Sequence, residues 1–109
     1  MAYNGIMEFV ETPYFSKQVY QFLTDDEYAM FQGYMVANPK AGDVIQGTGG
    51  LRKVRWATGG SGKRGGVRVI YFHVSAQSQI RLLLIYKKGA QDDLTADQKK
   101  ALKKVIENW

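Results

Sequence analysis

The period of the hydrophobic positions changes several times along the chain, and each change marks an element boundary. Residues 6–10 alternate weakly and predict a short strand. Thr12-Pro13 then predicts a helix start, with threonine as cap and proline at the first helical position. Phe15, Val19, Tyr20 and Phe22 give this helix an apolar face up to Leu23. A second helix opens on Thr24-Asp25-Asp26-Glu27, a capping box in which threonine and glutamate each satisfy a backbone donor. The acids also suit the positive end of a helix. Leu23 and Tyr28 fall where a hydrophobic staple would lie, and Tyr28, Phe31, Tyr34 and Met35 keep near-helical spacing. This helix stops at Asn38-Pro39, because proline disfavours helix in the residue before it. The two helices are expected to pack as a hairpin.

Residues 41–50 are glycine-rich and read as irregular. Three strands are predicted next, over 51–57, 67–75 and 80–86, and short polar turns such as Ala76-Gln77-Ser78 make neighbouring strands antiparallel. The run Leu82-Leu83-Leu84-Ile85 is apolar on both faces and belongs inside the sheet. Thr95-Ala96-Asp97-Gln98 is a second capping box. Its helix places Leu102, Val105, Ile106 and Trp109 on one side and Lys99, Lys100, Lys103 and Lys104 outside. The predicted order is β-α-α-β-β-β-α. That is an α+β fold with a small twisted, antiparallel-dominated sheet and helices packed on one face. All 109 residues form one expected domain, with 1–6 as a candidate disordered leader and Met7 as an alternative start.

Composition removes several classes of function. There is no cysteine, so disulfides, thiolate catalysis and cysteine zinc sites are excluded, and a cytoplasmic location is expected. No apolar run is long enough to span a membrane, and the first residues lack a basic, apolar signal pattern. The formal net charge is +5, and its distribution matters more than its sum. Between residues 44 and 91 there are nine Lys and Arg and no Asp or Glu, while the remainder holds six basic and ten acidic residues. A cationic middle on a mildly acidic chain is the footprint expected for a polyanion partner.

The basic residues fall into motifs. In Leu51-Arg52-Lys53-Val54-Arg55-Trp56, strand alternation puts Lys53 and Arg55 on one face and Val54 and Trp56 on the other. If Val54 and Trp56 face the helices, two cations stand together on the open face, where they repel unless an anion sits between them. Arg68 opens the run Gly66-Val67-Arg68-Val69-Ile70-Tyr71-Phe72, and its planar fork suits two phosphate oxygens. Tyr86-Lys87-Lys88 stands where the apolar strand leaves the sheet, a position at which paired cations also serve plain solvation. The loop Thr58-Gly59-Gly60-Ser61-Gly62-Lys63-Arg64-Gly65-Gly66 is not a Walker loop. Ala57 and Arg64 occupy the places that need glycine and serine or threonine, and the loop joins two strands. It reads as a basic arm for the phosphate backbone or as a simple hairpin linker. His73, the single histidine, reads as structural, and Asp92 and Asp93 as assisting the cap of the last helix.

Three segments together resemble a known family: Gly47-Thr48-Gly49-Gly50-Leu51-Arg52-Lys53-Val54-Arg55, Lys63-Arg64-Gly65-Gly66-Val67-Arg68-Val69-Ile70-Tyr71, and Leu84-Ile85-Tyr86-Lys87-Lys88. They look like the HigB branch of the RelE/ParE toxin superfamily, and the likeness extends over residues 9–109. The resemblance implies a RelE-like microfold and a toxin of a type II toxin-antitoxin system. Its activity would be a ribosome-dependent messenger-RNA endonuclease that inhibits translation. A HigA-like antitoxin would be its partner, and neither metal nor cofactor would be needed. Lys53, Arg55, Arg68 and Lys88 match the family's basic active-site positions, while Leu94 stands where the best-known RelE members carry a tyrosine. Arg52, Lys63, Arg64, Tyr86 and Lys87 are the accompanying RNA-binding candidates.

In such a reaction the RNA 2′-hydroxyl attacks the adjacent phosphate, and preorganised cations stabilise the charge that develops. A lysine is a poor base at neutral pH unless its surroundings penalise the charged form. Lys53, expected to be crowded by Arg55 and Arg68, is the candidate for proton transfer, and the two arginines are the candidate phosphate clamps. The superfamily also contains gyrase-inhibiting toxins, and a noncatalytic RNA-binding protein is a third reading. The cation cluster favours the nuclease, and the sheet lacks the paired stacking aromatics of an RRM.

Overall fold

In the computed structural model of the chain the structure describes residues 7–58, 66–91 and 93–109. Predictions touching Ile6, Lys63, Arg64 and Asp92 therefore lie outside the described residues. Strand β1 (Glu8–Glu11) leads into helices α1 (Pro13–Phe22) and α2 (Asp25–Ala37). A two-residue strand β2 (Asp43–Val44) follows, then β3 (Arg52–Trp56), β4 (Val67–Val74), β5 (Gln79–Lys87) and helix α3 (Ala96–Glu107). The five strands form one mixed sheet in the order β1-β5-β4-β3-β2. Only β1 runs parallel to its neighbour; the other pairings are antiparallel. The fold is α+β. Among the described residues, β2 and a single 3-10 turn over Ser75–Gln77 are new relative to the sequence pattern, and the pairing of β2 with Arg52 and Lys53 orders part of the glycine-rich stretch.

Local chemistry fixes the helix starts as expected. Thr12, Thr24 and Thr95 each accept a hydrogen bond from the backbone N–H three residues on, and the last two complete reciprocal capping boxes with Glu27 and Gln98. Leu23 and Tyr28 are both buried, and α1 and α2 together cover one sheet face. Phe15, Val19, Phe31 and Met35 meet Val54, Val69, Tyr71, Ile80 and Leu82 there.

Helix α3 corrects the expectation that all helices pack on one face. Leu102 and Ile106 join a second core cluster with Leu51, Ile70, Leu83, Leu84, Tyr86 and Leu94, on the opposite face of the sheet. The cause is the two-sided apolar character of β5, whose faces both need cover. The register shifts where Ile70 pairs with Leu84 and Tyr71 with Leu82, leaving Leu83 as the extra residue of a bulge. Leu83 and Leu84 consequently both serve the α3 side.

Thr12 ties this bulge to the helical hairpin. Its hydroxyl donates to the Leu83 carbonyl at 3.0 Å and accepts from the Phe15 N–H at 3.1 Å. Thr12→Val is expected to lose both bonds at nearly constant volume and to cost about 1–2 kcal/mol. Urea unfolding checks it. A loss under about 0.3 kcal/mol would mean that water replaces the hydroxyl at both partners.

Candidate functional site

Strand alternation divides the basic residues between the two faces of the sheet. Val54 and Trp56 turn toward α1 and α2, where Trp56 packs on Phe31 and Tyr34 with ring centroids 5.4 and 5.5 Å apart. Lys53 and Arg55 therefore project on the α3 side. In the register Arg55 lies directly opposite Arg68, and Arg68 opposite Tyr86; one step along, Lys53 lies opposite Ile70 and Ile70 opposite Leu84. Directly opposed residues hold their Cβ atoms about 4.5–5.5 Å apart. Two guanidinium side chains thus rise side by side from a rigid sheet, with an ammonium beside them and the buried Tyr86 ring behind.

Like charges in direct opposition destabilise a sheet unless an anion bridges them. Arg55 is exposed and Arg68 half-buried, so both heads can reach a ligand at the surface. The hydrogen bond from Arg68 Nη1 to the Val67 carbonyl is long, at 3.4 Å, and leaves the fork available. Lys88, just past the end of β5, is exposed, and its N–H donates to the Gly66 carbonyl at 3.2 Å. Gly66 must be glycine, with φ of +86° and only 2.3 Å between an added Cβ and the Trp56 carbonyl oxygen. This close approach brings the start of β4, and hence Arg68, against the end of β3.

Two of the candidate RNA contacts do not join this row. Arg52 points to the hairpin face, and its Nη1 donates to the carbonyls of Gly42 at 2.7 Å and Lys40 at 3.3 Å. Tyr71 completes the same lock, donating to the Pro39 carbonyl and accepting from the Gly42 N–H, both at 2.9 Å. Arg52 is a fastener of the loop after α2, because strand parity puts it opposite to Lys53. Lys87 pairs with Val67 and borders Gln21 and Phe22 on the hairpin side. Of its motif, Tyr86 is the residue that the register places on the face of Arg55 and Arg68.

The surroundings of Lys53 also differ from the purely cationic cluster expected. Its Nζ meets Asp93 Oδ1 at 2.6 Å, and the contact holds the Asp93 carboxyl below the usual carboxylate range. Asp93 is thus a counterion of the basic row rather than a helix cap, a role that Thr95 fills. Leu94 is buried under α3 as an apolar anchor. Among the described residues no group of three or more His, Asp or Glu side chains is placed to hold a metal ion, and no helix is long and apolar enough to cross a membrane. An apolar groove of about 270 Å³ between α3 and β5, lined by Tyr14, Leu83, Ala101 and Val105, lies apart from the cations.

His73 sits on the hairpin face, away from the arginine pair. Burial, then the Lys40 and Arg52 cations, push its imidazole below its ordinary range. Protonation is therefore easier in the unfolded chain. Stability should fall as pH drops below about 6.5 and level off below the folded-state value. His73→Gln should flatten this slope in urea titrations between pH 7.5 and 5. An unchanged slope would assign it to other groups. Compared with models of known protein families, the chain matches none.

Proposed function

We propose that this protein is a RelE/HigB-type toxin, a cytoplasmic endonuclease that cuts messenger RNA on the ribosome and is held in check by a HigA-like antitoxin. The observation that carries the reading is the cross-strand opposition of Arg55 and Arg68 with Lys53 on the same sheet face. The RelE-like arrangement of the elements follows from the same resemblance, and the α+β order of strands and helices is compatible with it.

The chemistry assigned to these groups is transesterification. The RNA 2′-oxygen forms a bond to the adjacent phosphorus as the bond from phosphorus to the 5′-oxygen breaks, leaving a 2′,3′-cyclic phosphate and a 5′-hydroxyl. Arg55 and Arg68 hold the non-bridging oxygens through transfer and stabilise the added charge. Lys53, on the same sheet face as the two arginines, is the group assigned to hand a proton to the departing 5′-oxygen. The 2′-hydroxyl proton passes to solvent. Lys88 extends the cationic track for the flanking backbone.

Mapping RNA ends after brief expression tests the proposal. Cuts within translated messages, ending in cyclic phosphate and 5′-hydroxyl, are the expected result. Growth arrest with intact messages and inhibited gyrase would reject it. So would binding of naked RNA without any cleavage.

A further inference from the structure

Lys53 is held by a carboxylate that comes from 40 residues away in the chain, and the loop carrying that carboxylate is built to present it. Gln91 Nε2 donates to the Asp93 carbonyl at 2.9 Å and to Gln98 Oε1 at 2.8 Å. The same Gln98 oxygen accepts the Thr95 N–H at 2.9 Å, within the capping box of α3. Leu94, next in sequence, is buried in the α3-side core. The backbone on both sides of the ion pair is thereby fixed: Lys53 by the β2–β3–β4 ladder, Asp93 by Gln91, Leu94 and the helix cap. The Asp93 side chain itself remains free to turn, being 76% exposed against 26% for Lys53. A carboxylate oxygen on Nζ occupies the same kind of position that a phosphate oxygen would take.

We infer that Asp93 is a built-in competitor for the phosphate site, seated on Lys53 in the free protein and displaced by an RNA phosphate through rotation of its side chain alone. The inference rests on the proposed phosphate-binding role of the Lys53, Arg55 and Arg68 row. Asp93 neutralises one of three clustered cations while the site is empty, which reduces their mutual repulsion. It also lowers the affinity for any anion that must take its place. Weakly held polyanions then fail to displace it, whereas a phosphate delivered in register with both arginines does. Among the described residues Asp43, the β2 neighbour of Lys53 in the register, is another carboxylate close to this edge, and the contact to Nζ is made by Asp93.

The test is titration of inorganic phosphate into the whole protein, followed by amide chemical shifts at low and moderate salt. Wild type, Asp93→Asn, Asp93→Glu and Arg68→Ala are compared. Asp93→Asn should bind phosphate more tightly by roughly two- to fivefold, the scale of an exposed ion pair. Its affinity should also fall more steeply with salt, by about one further ion released. Asp93→Glu keeps the competing charge and should stay near wild type. Asp93→Asn binding phosphate no more tightly than wild type, while Arg68→Ala still abolishes binding, would overturn the competitor role and leave the phosphate site standing. Weaker binding by Asp93→Asn would overturn it too, by making Asp93 a positioning residue for Lys53. Equal binding by Arg68→Ala and wild type, or no saturable binding by any variant, would overturn the underlying site and the inference with it.

Discussion

Arg68→Ala should lower single-turnover cleavage of ribosome-bound messenger RNA by at least about a hundredfold, the scale of losing one preorganised charge-stabilising donor, and should abolish growth arrest. The protein should nevertheless fold. Arg68 contributes its apolar stem to the sheet and one long hydrogen bond to a neighbouring carbonyl, while the core side of β4 is carried by Val67, Val69 and Tyr71. Its removal opens no internal cavity and relieves the opposition to Arg55, so stability should change by less than about 1 kcal/mol. Arg68→Lys separates charge from shape: it keeps the cation but loses the two-pronged contact and should recover only part of the rate. Circular dichroism and thermal melting establish folding, and cleavage is read beside a binding assay. A folded Arg68→Ala protein that cuts at the wild-type rate would remove the phosphate clamp from the proposal.

Lys53→Arg is the second large effect expected, and it distinguishes a proton donor from a plain charge. Arginine keeps the positive charge at this position and can still meet Asp93 or a phosphate, but it gives up a proton far less readily. If Lys53 protonates the leaving 5′-oxygen, cleavage should drop by about 10²–10⁴ while ribosome binding stays within a fewfold of wild type. The alkaline inflection that a general acid imposes on the pH–rate profile should disappear. If Lys53 acts only through its charge, the rate should fall modestly and the profile keep its shape. A near-wild-type rate and profile would reject proton transfer at Lys53 and move the search to Tyr86, which shares its face of the sheet, and to Lys88 just past the end of β5.

The local elements were legible in the sequence because their causes lie within a few residues of one another. Thr12, Thr24 and Thr95 cap helices through bonds to the third residue on, and Pro13 and Pro39 restrict their own neighbourhoods. Strand parity likewise put Lys53 and Arg55 opposite Val54 and Trp56. The same parity already separated Arg52 from Lys53 and Lys87 from Tyr86, a signal that motif grouping by adjacency passed over.

Tertiary structure decided what depends on register and on the choice between two apolar faces. No local pattern states that Arg55 meets Arg68, because one residue of slip would turn a strand over; β3–β4 packing and the close approach at Gly66 select that alignment. Leu82, Leu83, Leu84 and Ile85 are interchangeable to a pattern that counts only apolar positions. The bulge at Leu83 assigned them to different cores and sent α3 to the face opposite the helical hairpin. That placement brings Asp93 to Lys53 across 40 positions, so the charge balance of the site belongs to the fold. Capping and alternation act over a few bonds and are written in sequence; ion pairs and sheet faces are settled by which packing buries both sides of β5.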